Sequence, residues 1–228
     1  KIIKECHKNH KNFVFDFCFN AFKSENWQAL HKVYKIVEPL EFSEKITIYE
    51  QFNNFVKLKW FQKTSSLNKN NPNGIVENLI LHYQDCLVNI KNIFENDKSF
   101  IQTLNDAVDE IVNHRENPIS ALDFVQYIDS LLIETNRTFH QNDLNTHFDY
   151  VSNILKYVKN KTAFQKFYAR ALSKRLIYFN CSNEYEKAFL EKLSINFDRQ
   201  FVLNSLEMLK NISGKVFLLL KDQINKKF

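Results

Sequence analysis

Glycine and proline are almost missing from this sequence, with two of the first and three of the second in 228 residues. Sandwiches and barrels need these residues at their tight reversals, so such architectures are excluded. The two glycines, Gly74 and Gly214, lie far apart, and no glycine-rich phosphate loop can be built from them. Cysteine is sparse as well, with Cys6, Cys18, Cys86 and Cys181 widely scattered. A disulfide scaffold would be denser, which points to a reducing compartment. The longest apolar run, Val216–Leu220, is far too short to span a bilayer, and the polar, basic opening Lys1–Asn12 carries no secretory signal. The only methionine is Met208, so a processed or internal piece of a longer protein is expected. Charge of one sign is also lacking: 31 basic against 26 acidic residues give a formal net charge of +5, spread along the chain. With no nucleic-acid motif beside it, that balance argues against a nucleic-acid partner.

What is present in quantity is phenylalanine, 22 residues, within a hydrophobic fraction of 44%. Apolar residues recur at steps of three and four almost throughout, the mark of helices with one buried face. Phe13, Phe17 and Ala21 share a stripe in a helix from about Ile2 to Phe22. Trp27, Leu30, Tyr34 and Val37 share another, opening near Asn26 and stopped by Pro39. Ile46, Tyr49, Val56 and Trp60 line a third between Ser43 and Lys63. Residues 64–74, TSSLNKNNPNG, read as a linker.

Beyond it, Val76, Tyr83, Leu87, Ile90 and Phe94 predict one unbroken helix from Ile75 to Phe94. Asn96 and Asp97 can cap the next helix, which turns Phe100, Leu104, Ala107 and Ile111 inward. After the polar loop His114–Pro118 come Leu122, Val125, Ile128 and Leu132 in one helix, then Leu144, Phe148, Val151, Leu155 and Val158 in another. Thr162 and Gln165 have the spacing of a capping box, and Asn183 to Glu186 is a looser version. Phe189, Leu190 and Leu193 lie inward in the helix that follows, and two further helices are expected, Arg199–Lys210 and Ser213–Ile224. The chain is therefore expected to be all-α, an elongated array of helical bundles, without the strict short period of simple solenoids.

Candidate chemistry is thin. Cys6, His7 and His10, with Cys18 nearby, offer too few ligands at zinc spacing, and no metal or cofactor is expected. His114, Arg115 and Glu116 form a titratable trio, yet adjacent residues in a polar loop seldom converge as acid–base catalysis requires. The three Asn-X-Ser/Thr sequons at Asn136, Asn160 and Asn211 read as chance in a chain so rich in asparagine. Nothing suggests a nucleophile. Lys166, Arg170 and Lys174, with Arg175 beside them, are different: they stand four apart along one helix edge. They form a solvated face or a basic strip that recruits an acidic partner.

The stretch Lys161-Thr-Ala-Phe164-Gln165-Lys166-Phe167-Tyr168-Ala-Arg-Ala-Leu172-Ser-Lys174-Arg175-Leu176 resembles the cullin family, whose form reads roughly KDVFQKFYxKxLAKRL. Phe94-Glu-Asn96-Asp97-Lys-Ser-Phe100-Ile-Gln-Thr-Leu104 is similar to FxNDxxFxxxL, and Tyr127-Ile-Asp129-Ser130-Leu131-Leu132 to YxDSLL, in the same order along the chain. Phe164, Gln165, Phe167, Tyr168, Leu172 and Leu176 carry the motif. The sequence departs from the family where Phe197-Asp198 stands in place of a Cys-Gly pair and where Thr162-Ala163 replaces Asp-Val.

The resemblance implies an organisation and a role. Residues 1–63 would end one cullin repeat, 64–74 would link it to the next, 75–158 would form that repeat, and 159–228 would begin the four-helix bundle of the carboxy-terminal domain. The chain would be a non-catalytic, intracellular scaffold segment of a ubiquitin ligase, in cytoplasm and nucleus, spacing a substrate adaptor from a RING-finger subunit. Both of these would be held by parts of the parent before Lys1 or after Phe228. The basic strip Lys166, Arg170, Lys174 and Arg175 would draw the acidic tail of a ubiquitin-conjugating enzyme. The rival reading from the residues alone is an unrelated α-solenoid interaction module. An all-α enzyme lacks the converging titratable groups it would need.

Overall fold

The computed structural model describes residues 11–39, 42–65, 72–138, 141–178 and 182–212, and among them every regular element is a helix. In chain order these are α1 (Lys11–Lys23), α2 (Trp27–Val37), α3 (Phe42–Ser65), α4 (Pro72–Ile93), α5 (Lys98–Val112), α6 (Ala121–Thr138), α7 (Gln141–Leu155), α8 (Lys161–Tyr178), α9 (Asn183–Leu193) and α10 (Arg199–Ile212). The expected all-α class holds. The helix expected over Ser213–Ile224 lies outside the described residues, as do Cys6, His7 and His10.

The chain divides into two compact units, residues 1–67 with 78–111 and residues 68–77 with 112–228. In the first, α1 packs on α2 and α3, and an aromatic cluster fills the core. Phe94 and Phe100 stack with ring centroids 3.8 Å apart, and Phe52, Tyr49 and Tyr34 meet them edge-on. The four-residue connection between α4 and α5 makes that stacking possible. Glu95 and Asn96 both take positive φ, 51° and 60°, so the chain reverses at once. Asparagine tolerates this region and glutamate does so less well; Glu95 is held there by an ion pair with Lys35. Asp97 then caps α5, its Oδ1 accepting from the Ser99 amide at 2.8 Å while Oδ2 lies 3.4 Å from the hydroxyls of Tyr34 and Tyr49. The FxNDxxF pattern is thus a turn with its own cap and its own aromatic lock.

Several inward assignments shift by one position. In α1, Cys18, Ala21 and Phe22 are buried and Phe17 is exposed, so the inner face keeps Ala21 and takes Cys18 and Phe22 where Phe17 was expected. In α3, Tyr49, Phe52, Val56 and Trp60 are buried while Ile46 is exposed. In α4, unbroken as expected, Ile90 is fully buried but Leu87 is only half-buried. His82, five residues before Leu87, lies on the inner face and donates from Nε2 to the Val56 carbonyl at 2.9 Å. In α6, Val125, Ile128 and Leu132 are inside and Leu122 is exposed, its place taken by Phe124.

In the second unit α6 and α8 share the most extensive interface, α9 packs on α7 and α10, and α10 packs on α8. Leu144, Phe148, Val151 and Leu155 form the inner face of α7 and Phe189, Leu190 and Leu193 that of α9, all as the spacing predicts. Ser152 joins the two helices by donating to the Lys192 carbonyl at 3.0 Å. The family departure at Phe197-Asp198 has a local use. The Phe197 ring lies 4.7 Å from Phe164, and Asp198 accepts from the Phe201 amide at 3.2 Å, opening α10.

Candidate functional site

Helix α8 carries both the motif and the basic residues, so its placement decides what either can do. Its cap is Asn160, whose Oδ1 accepts from the Ala163 amide at 2.9 Å. The capping box expected at Thr162 and Gln165 is not formed, because the helix begins one residue before Thr162, which is exposed. Lys161 occupies the first turn. Its ammonium donates to the carbonyl of Leu155, the last residue of α7, at 2.6 Å and lies 4.4 Å over the Phe197 ring. No carboxylate balances it there, and burial pulls its pKa down to about 8.

The inner face of α8 consists of Phe164, Tyr168, Leu172, Arg175 and Leu176. Tyr168 is the buried aromatic, edge-on to Phe201 at 5.8 Å; Phe167 and Gln165 are half-buried. Arg175 corrects the sequence reading. It is fully buried and does not belong to the strip, because steps of four, four and three from Phe164 continue the inner stripe onto it. Its Nε donates to Glu186 Oε1 at 2.5 Å, Nη2 to Glu186 Oε2 at 3.1 Å, and Nη1 to Asp129 Oδ1 at 2.6 Å. The Tyr168 hydroxyl adds a fourth bond, to Glu186 Oε2 at 3.1 Å, and the guanidinium carbon lies 5.4 Å over the Tyr168 ring. Burial alone would weaken the charge on Arg175; the Glu186 carboxylate, also fully buried, outweighs it and raises the pKa. Burial, and after it the charge of Glu186, holds the Tyr168 hydroxyl well above its ordinary value. Arg175 and Tyr168 therefore both keep their protons in neutral solution. The cluster is a fixed electrostatic tie between α6, α8 and α9, not an acid–base pair.

Glu186 is thereby moved from the capping role that its spacing suggested to the core. Asp129 and Glu186 are the residues that sequence reasoning missed. A signal for them was available: an arginine on an apolar stripe requires a buried acid within reach.

Lys166, Arg170 and Lys174 remain as the strip. All three are exposed on the opposite side of α8, and none forms an ion pair among the described residues. Lys35, Lys57, Lys59 and Lys192, by contrast, each meet a carboxylate. The trio at 114–116 does not converge; Arg115 and Glu116 are exposed and His114 is half-buried. Among the described residues no group of histidine, cysteine and acidic side chains could hold a metal ion, and no described helix is long and apolar enough to cross a membrane.

Comparison with known proteins places this geometry. The family model described as the cullin alpha solenoid domain matches residues 1–215. Cullin-2 of Caenorhabditis elegans is 28% identical over 203 residues, covering 85% of this chain and 26% of that protein. Cullin-4 of Dictyostelium discoideum is 24% identical over 208 residues, 90% of this chain and 25% of that protein. Cullin-1 of Schizosaccharomyces pombe is 29% identical over 128 residues. The chain thus spans about a quarter of the length of the first two relatives.

Proposed function

This chain belongs to the cullin family, and from that membership we propose that it is a non-catalytic scaffold segment of an intracellular ubiquitin ligase. Its role is to space a substrate adaptor from a RING-finger subunit and a ubiquitin-conjugating enzyme, all of them bound through other parts of the parent protein or at its surface. The mechanism is positional. A stiff arm keeps an acceptor lysine at high effective concentration near the reacting thioester, which requires that helices not slide past one another.

One observation carries this reading: Phe94, Phe100, Leu104, Phe164, Tyr168, Leu172, Arg175 and Leu176 of the cullin motifs pack the interior. Phe94 and Phe100 lock the turn between α4 and α5. Asp129 of the YxDSLL motif meets Arg175 of the longest motif across α6 and α8. The family match also removes the alternative of an unrelated α-solenoid module.

Within the same proposal, Lys166, Arg170 and Lys174 attract the acidic tail of the conjugating enzyme. Their lack of carboxylate partners supports this, since an unneutralised row projects its field into solvent and acts chiefly on association rate. Charge reversal at Arg170 and Lys174 in the full parent protein, read as ubiquitin-transfer rate against salt, tests it.

A further inference from the structure

Lys161 stands at a junction that the proposed scaffold role does not use. It is the first residue of α8, and its amine reaches back to the end of α7 and across to the segment that opens α10. Two contacts hold it there: Nζ donates to the Leu155 carbonyl at 2.6 Å and lies 4.4 Å over the Phe197 ring. Phe197 and Asp198 stand where the cullin form has its Cys-Gly pair, so the ring is a feature of this chain rather than of the shared motif. No carboxylate joins these contacts. The first turn of α8 carries no acidic residue. Asp198 accepts from the Phe201 amide, Lys156 lies over the Tyr157 ring, and Lys159 and Arg199 are exposed. The free amide hydrogens that open α8 oppose a cation, and the half-buried position withholds water from it.

Removing water from a lysine without supplying a counter-charge is one way proteins make it a nucleophile. With its pKa pulled down to about 8 by burial, about one Lys161 side chain in five is a free amine at pH 7.4, against about one in a thousand at the ordinary value. The contacts also aim that amine. The Leu155 carbonyl accepts from a neutral amine as well as from an ammonium, so one N–H stays in place. A carbonyl oxygen and the electron-rich face of a ring both repel a lone pair. The lone pair therefore points away from Leu155 and Phe197, toward the open side of the residue.

We propose that Lys161 is an acyl-acceptor site for small acyl thioesters of the acetyl-coenzyme A class. Nζ attacks the thioester carbonyl carbon. The C–N bond forms as the C–S bond breaks, and the proton lost by nitrogen leaves with the sulfur as a free thiol. The resulting secondary amide keeps one N–H for the Leu155 carbonyl and loses the charge over Phe197. A thioester held inside an enzyme's cleft is a poorer donor, because a lysine folded back onto Leu155 and Phe197 does not project into a cleft.

The test incubates the full 228-residue chain with acetyl-coenzyme A from about pH 6.5 to about pH 10 and follows each lysine by peptide mass spectrometry. Lys166 and Lys174, exposed on the same helix, serve as references. At about pH 7.5, Lys161 is expected to acetylate at least about fivefold faster than either, and its rate to level off above about pH 8 while theirs keep rising. In urea the advantage is expected to vanish, because it comes from the fold. Lys161→Arg, which keeps a donor for the Leu155 carbonyl, is expected to abolish the fast labelling and leave circular dichroism unchanged. The proposal is overturned if Lys161 labels no faster than Lys166 and Lys174, if its rate climbs with pH as theirs does, or if its advantage survives in urea. The profile of the unsubstituted chain decides these outcomes even if Lys161→Arg folds poorly.

Discussion

Arg175 on α8 and Glu186 on α9 form an ion pair from which solvent is fully excluded, with two of the guanidinium nitrogens against the two carboxylate oxygens at 2.5 and 3.1 Å. The pair is eleven residues apart in sequence and joins two helices, and through Asp129 it reaches a third. Such a tie fixes the register of helices more than it adds net stability, because desolvating both charges offsets most of their attraction.

That balance predicts a non-additive mutant series. Arg175→Met or Glu186→Gln alone should destabilise the chain by about 3–5 kcal/mol, since each strands a buried partner. Arg175→Met with Glu186→Leu should be more stable than the sum of the single changes implies. Urea unfolding of the three variants measures this, and strictly additive losses would contradict the tie.

The aliphatic residues of α4 should differ in sensitivity. Ile90→Ala should cost about 2–5 kcal/mol through the cavity it opens, because Ile90 has no exposed surface. Leu87, half-buried three residues earlier, should lose clearly less. Phe148→Ala, fully buried against Phe189 at 5.0 Å, should fall in the upper part of the same range. The rank order of denaturation midpoints checks the inner face of each helix.

Asn160, and not Thr162, should matter at the start of α8. Asn160→Ala removes the acceptor for the Ala163 amide and should cost about 0.5–2 kcal/mol. Thr162→Ala, at an exposed position, should stay within about 0.5 kcal/mol.

Acid should loosen the first unit through His82. Burial lowers its pKa from the ordinary 6.5, and its Nδ1 lies buried without a hydrogen-bond partner, so the folded chain holds it neutral. Below pH 6.5 the unfolded chain takes up that proton more readily, and stability must fall as pH drops from there toward the lowered folded value. Above 6.5 the residue leaves stability independent of pH. Urea midpoints at pH 7.5 and 5.5 should separate, and His82→Gln, which keeps a donor for the Val56 carbonyl, should narrow the gap.

The basic strip should act on rate. Arg170→Glu with Lys174→Glu in the full parent protein should slow ubiquitin transfer at low salt. The difference from the parent should shrink toward physiological ionic strength, where the Debye length is about 8 Å. Circular dichroism should remain unchanged, since exposed charges contribute little to stability. Equal rates at every salt concentration would reduce the strip to a solvated face.

Much of this could be read before any coordinates. A chain with two glycines and three prolines and steps of three and four throughout has little choice but helices, because periodicity and the absence of turn residues are both local properties. The inner faces of α5, α7 and α9 were legible for that reason, and the motif around Phe94 and Phe100 could be matched letter by letter. What local pattern could not decide was where charged residues go when they fall on a boundary between faces. Arg175 reads as one more cation beside Lys174, and Glu186 reads as a cap. Their burial depends on α8 and α9 crossing so that guanidinium, carboxylate and Tyr168 hydroxyl coincide, a relation between helices that no spacing along one helix contains. The grouping of α4 and α5 with α1–α3 is of the same kind. Helix formation comes from neighbouring residues, but which surfaces meet comes from the competition among all of them for one interior.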